Sequence, residues 1–231
     1  MISVVTSTFR SHMLERVIEN FTRQNLQEKE LILILNKDSI QFENPNTANI
    51  RVFRLDEAKT LGECLNFGAS IAKYNIIAKM DDDDYYSPQY LTNSLRDLQE
   101  TKADVVGKAA FFVYFKHKKL LSIYRPRMNH LFIKNKKLLL SGGTLVFKKE
   151  ILQNAPFPHL NNGEDILFQQ NCLSQQLSIY SGGQQDYVLI RHGIEHQHSW
   201  QVDDELFLKH CKEVTTTDAF ESFVWDGSSE T

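Results

Sequence analysis

The stretch Asn75-Ile76-Ile77-Ala78-Lys79-Met80-Asp81-Asp82-Asp83-Asp84-Tyr85-Tyr86-Ser87-Pro88 decides how this chain is read. Asn75 to Met80 is a mostly apolar run of strand length, and it stops in four consecutive aspartates. Adjacent carboxylates repel, and even at about 4 Å in bulk water each pair costs about 1 kcal/mol. A solvated acidic loop tolerates that. Here the first aspartate abuts an apolar strand, while Tyr85-Tyr86 and the helix-starting pair Ser87-Pro88 hold the other side. A hard divalent cation reverses the repulsion, because Mn²⁺ or Mg²⁺ prefers carboxylate oxygen. An EF-hand is excluded, since Tyr86 stands where its glycine belongs and Thr92 where its bidentate glutamate belongs.

Working outward, strand-like and helix-like runs alternate. Ile2 to Val5 is a short strand leading to a Thr6-Ser7-Thr8 loop. Residues 11–24 carry Met13, Leu14, Val17, Ile18 and Phe21 at helical spacing. Leu31 to Leu35 is nearly all aliphatic, as a strand buried on both faces would be. Ile50 to Phe53 gives a third strand, Leu61 to Ala72 a helix, and a further helix runs from Ser87-Pro88 to about Thr101. Such alternation predicts an α/β fold with parallel strands joined by crossover helices. Ligands of such sheets bind beyond the carboxyl ends of the strands, where Thr8, Asn36 and the aspartates fall.

The second half is less regular. Ala103 to Tyr114 reads as one strand, Lys116 to Lys119 as a turn, and Leu120 to Tyr124 as its hairpin partner. Ser141-Gly142-Gly143-Thr144 is a loop before strand Leu145 to Phe147. Asp165 to Gln176 is expected to be helical, Tyr187 to Arg191 a strand, and residues 203–225 helical. The 231 residues suit one compact domain, and a net charge of -3 gives no global reason to bind nucleic acid. Cys64, Cys172 and Cys211 are widely spaced, the pattern of free thiols in a reducing compartment. With no apolar run near 20 residues and no signal-like start, the expectation is a cytoplasmic protein, at most peripheral to a membrane.

The segment from Ile77 to Leu91 resembles the DxD segment of family 2 glycosyltransferases with the GT-A fold. Ile2 to Phe9 resembles that family's first strand and loop, Glu30 to Leu35 its second strand, and Gly62 to Gly68 its donor-facing helix. Ser141-Gly142-Gly143 and Gly163-Glu164-Asp165 resemble its acceptor-side glycines and its ED motif. The match is collinear over about residues 1–200. It implies a Rossmann-like, mostly parallel central sheet flanked by helices, with a smaller antiparallel element on the acceptor side. Residues 1–100 would be the nucleotide-binding half and 101–200 the acceptor half, followed by a helical extension over 201–231. It also implies transfer, with inversion, from a nucleotide-diphosphate sugar (a UDP-sugar before others) to a carbohydrate or glycoconjugate acceptor of surface-polysaccharide type.

By the same resemblance Asp81 contacts the nucleoside and joins Asp83 at the metal, with Asp84 as support. Thr8, Asn36, Gly62 and Asn66 line the donor site, and Gly142 and Gly143 the acceptor side. Asp165 is the candidate base and Glu164 its orienting neighbour. The chain departs from the family pattern at Asn36, where aspartate is usual, and at Leu65, where a basic residue is common; both leave the donor open. His192 or His198 would serve as a late metal ligand, with ordinary loop histidines as the other reading. His192-Gly193-Ile194-Glu195-His196 matches a zinc-peptidase pattern, but it follows a strand and holds a glycine where that chemistry needs a helix. The basic residues Lys116, Lys118, Lys119, Arg125, Arg127, Lys134, Lys136 and Lys137 suit hairpin edges, an anionic acceptor or a membrane surface. A nucleotidyltransferase would want a glycine- and arginine-rich first loop, whereas Thr6-Ser7-Thr8-Phe9-Arg10 has no glycine. A non-catalytic nucleotide- or carbohydrate-binding module remains the other alternative.

Overall fold

The computed structural model describes residues 1–42, 47–192 and 203–225. Strands β1 (Ile2–Thr8), β2 (Lys29–Leu35), β3 (Ile50–Arg54) and β4 (Ile76–Lys79) lie parallel in the order β3-β2-β1-β4. Two helices make the crossovers: α1 (Leu14–Thr22), entered through a 3₁₀ turn at Ser11–Met13, and α2 (Leu61–Ser70). The period of two along β2 sorts its aliphatic side chains between them. Leu31, Leu33 and Leu35 share a core with Leu14, Val17 and Phe21 of α1. Ile32 and Ile34 share the other with Cys64, Leu65 and Ala69 of α2. Leu65 is thus a core residue, which explains why no basic side chain stands there.

The remaining elements are β5 (Tyr85–Tyr86), α3 (Tyr90–Thr101), β6 (Val105–Gly107), β7 (Phe111–Phe115), β8 (Leu120–Tyr124), β9 (Leu131–Phe132) and β10 (Val146–Lys148). They are followed by α4 (Glu164–Ser174), β11 (Ile179–Ser181), β12 (Tyr187–Arg191), α5 (Asp204–Leu208), β13 (Cys211–Thr216) and α6 (Glu221–Val224). Antiparallel β10 pairs with β4 and β6, and β11 and β9 complete the main sheet beyond β6. A second sheet has the order β13-β8-β7-β12-β5, with β7 and β12 parallel and its other pairings antiparallel.

Four expectations need correction. β1 continues through Thr8, which pairs with Leu35, so Thr6 to Thr8 is strand and not loop. The single strand expected over Ala103 to Tyr114 is two, because Lys108 to Ala110 carries the chain from one sheet to the other. Helix α3 begins at Tyr90 and not directly after Ser87, whose hydroxyl accepts the Gln89 N–H at 3.3 Å across the intervening turn. The same hydroxyl donates to Asp186 Oδ1 at 2.7 Å. The expected helical stretch over 203–225 contains β13, whose Val214-Thr215-Thr216 run suits the sheet edge better than a helix interior.

Helix α2 starts in a capping box. Thr60 Oγ1 accepts the Glu63 N–H at 3.3 Å, and Glu63 Oε2 accepts the Thr60 N–H at 3.0 Å. Thr60→Ala is expected to lower unfolding stability by about 1 kcal/mol, read as a lower urea midpoint at unchanged m-value.

Candidate active site

At the end of β4, Lys79 turns its ammonium into the protein and onto Asp81 Oδ1. The Lys79 side chain is 4% exposed. Burial works against its charge, but Asp81, Glu164 and Asp165 together hold the ammonium above the ordinary lysine range. One buried cation therefore feels carboxylates from two distant stretches of sequence. The Asp81 N–H donates to Tyr86 Oη at 2.7 Å, and that hydroxyl donates to the Gly143 carbonyl at 2.7 Å. This relay ties the aspartate run to the glycine turn.

A side chain on either glycine of the turn would crowd these carboxylates. A Cβ on Gly143 would lie 2.9 Å from Asp81 Oδ2 and 3.1 Å from Asp84 Oδ2. On Gly142 it would lie 2.3 Å from Asp165 Oδ2. Adjacent glycines thus receive the carboxylates of Asp81 and Asp165 against one short piece of backbone. Gln169 holds that piece to α4, its amide accepting the Leu140 N–H at 2.8 Å and donating to the Leu140 carbonyl at 3.1 Å.

Along the run, burial alternates: Asp82 and Asp84 are buried, Asp81 and Asp83 partly exposed. Asp82 accepts from Thr8 Oγ1, from Arg10 Nη2 and, at 3.1 Å, from Arg10 Nε. Its carboxyl is nonetheless pushed up, because burial outweighs Arg10. Asp84 accepts from Tyr187 Oη at 2.6 Å and from the Ile190 N–H at 3.3 Å, and burial pushes it well above the carboxylate range. These two anchor the loop. Asp83 pairs with Arg10 at 3.0 Å, while its carbonyl accepts Arg16 Nη1 at 3.0 Å.

Glu164 and Asp165 open α4 behind Gly163, which has φ +80. Glu164 is buried and Asp165 partly so; burial raises both carboxyls while Lys79 pulls them back. Asn36 follows β2, its N–H on the Thr8 carbonyl at 2.9 Å and its Nδ2 on the Asp56 carbonyl at 2.8 Å. Two expected donor-site residues make packing contacts. Gly62 lies under the Pro158 carbonyl, 1.8 Å from where a Cβ would stand. The Asn66 amide bonds the Phe157 backbone at both ends, at 2.8 and 3.0 Å. His192 follows β12 and lines a pocket of about 450 Å³ with Asp84 and Arg16. His198 lies outside the described residues. A larger cavity of about 820 Å³ opens by Asn75 and Ile76, at the start of β4 and away from the aspartates.

Among the described residues no three His, Cys, Asp or Glu side chains are gathered to hold a metal by themselves. Asp81 and Asp83 are the partly exposed carboxylates of the run, one paired with Lys79 and the other with Arg10. That set fits a hard cation held by one or two carboxylates, with substrate phosphates and water completing its shell. Sequence reasoning missed Lys79, Arg10, Tyr86 and Tyr187. The signal for Lys79 was legible, since it is the one charge in the apolar run Ile76 to Met80.

The family model of glycosyl transferase family 2 matches residues 3–154, and the chain belongs to that family. Comparison with curated proteins gives no significant match. Residues 1–349 of S. aureus TarS in complex with UDP-GlcNAc superpose with a TM-score of 0.67 at 18% identity, over 90% of this chain and 63% of that one. The mannosyltransferase PcManGT of Pyrobaculum calidifontis, in complex with GDP-Man and Mn2+, gives 0.61 at 14% identity, over 85% and 58%. The chain therefore spans less than two thirds of either protein. At these identities the likeness is one of fold, and the fold is GT-A.

Replacing the buried cation tests the site's electrostatics. Lys79→Met is expected to cost on the order of 2 kcal/mol at neutral pH, less than for a fully buried pair because the Asp81 side chain is 36% exposed. Glu164 and Asp165, which Lys79 pulls back, then titrate higher still, so the deficit should shrink as pH falls and they take up protons. Urea unfolding at neutral and mildly acidic pH measures both.

Proposed function

We propose that the chain moves a sugar from a nucleotide-diphosphate donor, a UDP-sugar first, onto a hydroxyl of a carbohydrate or glycoconjugate acceptor, with inversion. The observation that carries this is the seating of Asp81 and Asp165 against adjacent glycines with Lys79 buried between their elements. Asp81 and Asp83 would hold Mn²⁺ or Mg²⁺, with His192 and His198 as further candidate ligands. The ion supplies charge compensation for the departing diphosphate. Thr8 and Asn36, at the ends of β1 and β2, bind the nucleoside side.

Asp165 is the base. The acceptor oxygen bonds to the anomeric carbon as the bond from that carbon to the diphosphate oxygen breaks, and the hydroxyl proton passes to Asp165. Lys79 favours the ionised base, and Glu164, buried next to it, orients it. Partial burial raises Asp165, which brings a carboxylate closer to the basicity the step needs.

The test is hydrolysis and transfer with UDP-, GDP-, dTDP- and CMP-sugars, with and without Mn²⁺. Metal-dependent release of one nucleotide is expected, and nucleotide binding without turnover on any donor would instead describe a binding module. Asp165→Asn should abolish transfer while nucleotide affinity in calorimetry is kept; Asp83→Ala should lose the metal-dependent part of that affinity. Retained turnover in the first variant removes the base assignment, and unchanged affinity in the second removes the metal assignment.

The pH profile gives a separate check. Turnover should rise with pH through a midpoint above the usual aspartate value of about 3.9, because Asp165 must lose its proton and its pKa is raised. Lys79→Met should move that limb to higher pH, since removing the cation raises Asp165 further.

A further inference from the structure

A basic strip beside α4 is not used by the reaction. The chain as a whole has a net charge of -3, yet no aspartate or glutamate occurs anywhere from Val105 to Lys149. Some bases of this stretch find acids elsewhere: Lys118 pairs with Glu205, Lys119 with Asp218 and Lys148 with Asp104. Lys134, Lys136 and Lys137 are all exposed, and among the described residues no acid lies within ion-pair distance of them.

Their place is fixed by α4. Lys136 Nζ donates to Ser174 Oγ at 2.6 Å at the end of the helix. Leu140 bonds Gln169 in its middle, and Gly142 meets Asp165 at its start. The segment thus runs antiparallel to the helix, from the lysines to the candidate base. The first turn of the helix shows solvent two aliphatic side chains, Ile166 at 45% and Leu167 at 40% exposure, and Leu160 just before it is 39% exposed.

We propose that this face, with Leu160, Ile166, Leu167, Lys134, Lys136 and Lys137, docks on an anionic lipid bilayer and sets Asp165 at the lipid–water boundary. Lysines without acidic partners answer the negative surface potential, at about 1 kcal/mol each near the surface. Exposed aliphatics at the other end of the same helix gain by entering the acyl boundary. A soluble polyanion would use the lysines but leave the aliphatics in water, so the bilayer accounts for more of the face. The reach of the proposal to an acceptor presented from the membrane rests on Asp165 being the base.

Vesicle flotation of the whole chain, without donor or metal, tests it. The chain should float with phosphatidylcholine vesicles containing phosphatidylglycerol and not with phosphatidylcholine alone, and added salt should release it. Lys134→Glu/Lys137→Glu leaves the Lys136–Ser174 bond intact and should weaken flotation at least about thirtyfold. Leu167→Ser, which changes no charge, should weaken it severalfold. No flotation, equal flotation with both lipids, or indifference to Leu167→Ser overturns the proposal. Binding to inorganic polyphosphate with no response to Leu167→Ser would reassign the strip to a polyanion and likewise overturn it. Because the assay contains no donor, its failure is distinct from failure of the transferase reading, which donor hydrolysis measures.

Discussion

A single ammonium, that of Lys79, is the charge around which the site is assembled. A lysine this deep is stable as a cation only with carboxylates to favour it; Asp81 bonds it directly, and Glu164 and Asp165 support its charge from a second region. The dependence is mutual, since Glu164 and Asp165 would lose their protons less readily without it. The fold must therefore close β4 against the start of α4 before either group of acids is comfortable. The Gly142-Gly143 turn is what lets the two groups come that near.

The rest of the architecture supplies stiffness to this arrangement. The aspartate run is held to the main sheet by Thr6, whose hydroxyl donates to the Met80 carbonyl at 2.8 Å. It is held to the second sheet by the pairing of Tyr85 and Tyr86 with Val188 and Tyr187. Tyr86 and Tyr187 pack together with ring centroids 5.4 Å apart and spend their hydroxyls on Gly143 and Asp84. A loop that carries four acids is thus bound on both sides by buried hydrogen bonds, which a merely solvated loop would not require.

Much of this was legible in sequence because it rests on local pattern. The aliphatic run of β2, the helical spacing of α1 and the hairpin of β7 and β8 each declare their element within a few residues. What stayed hidden depends on contacts across the chain. The break at Lys108 to Ala110 looks like continuous strand until two sheets compete for it, and β13 exists because β8 offers an edge. In the site, residue order placed Gly62 and Asn66 toward a donor, and the structure sets Pro158 and Phe157 against them. No local pattern separates a glycine that admits a ligand from one that admits a neighbouring carbonyl.

The alternation of burial along Asp81 to Asp84 has a consequence for how such a run is to be understood. Four identical letters look redundant, as though losing one left three spares. In the folded chain each has a different neighbourhood: Asp81 on Lys79, Asp82 on Thr8 and Arg10, Asp83 on Arg10, Asp84 on Tyr187. None can stand in for the next, so the repetition holds no reserve.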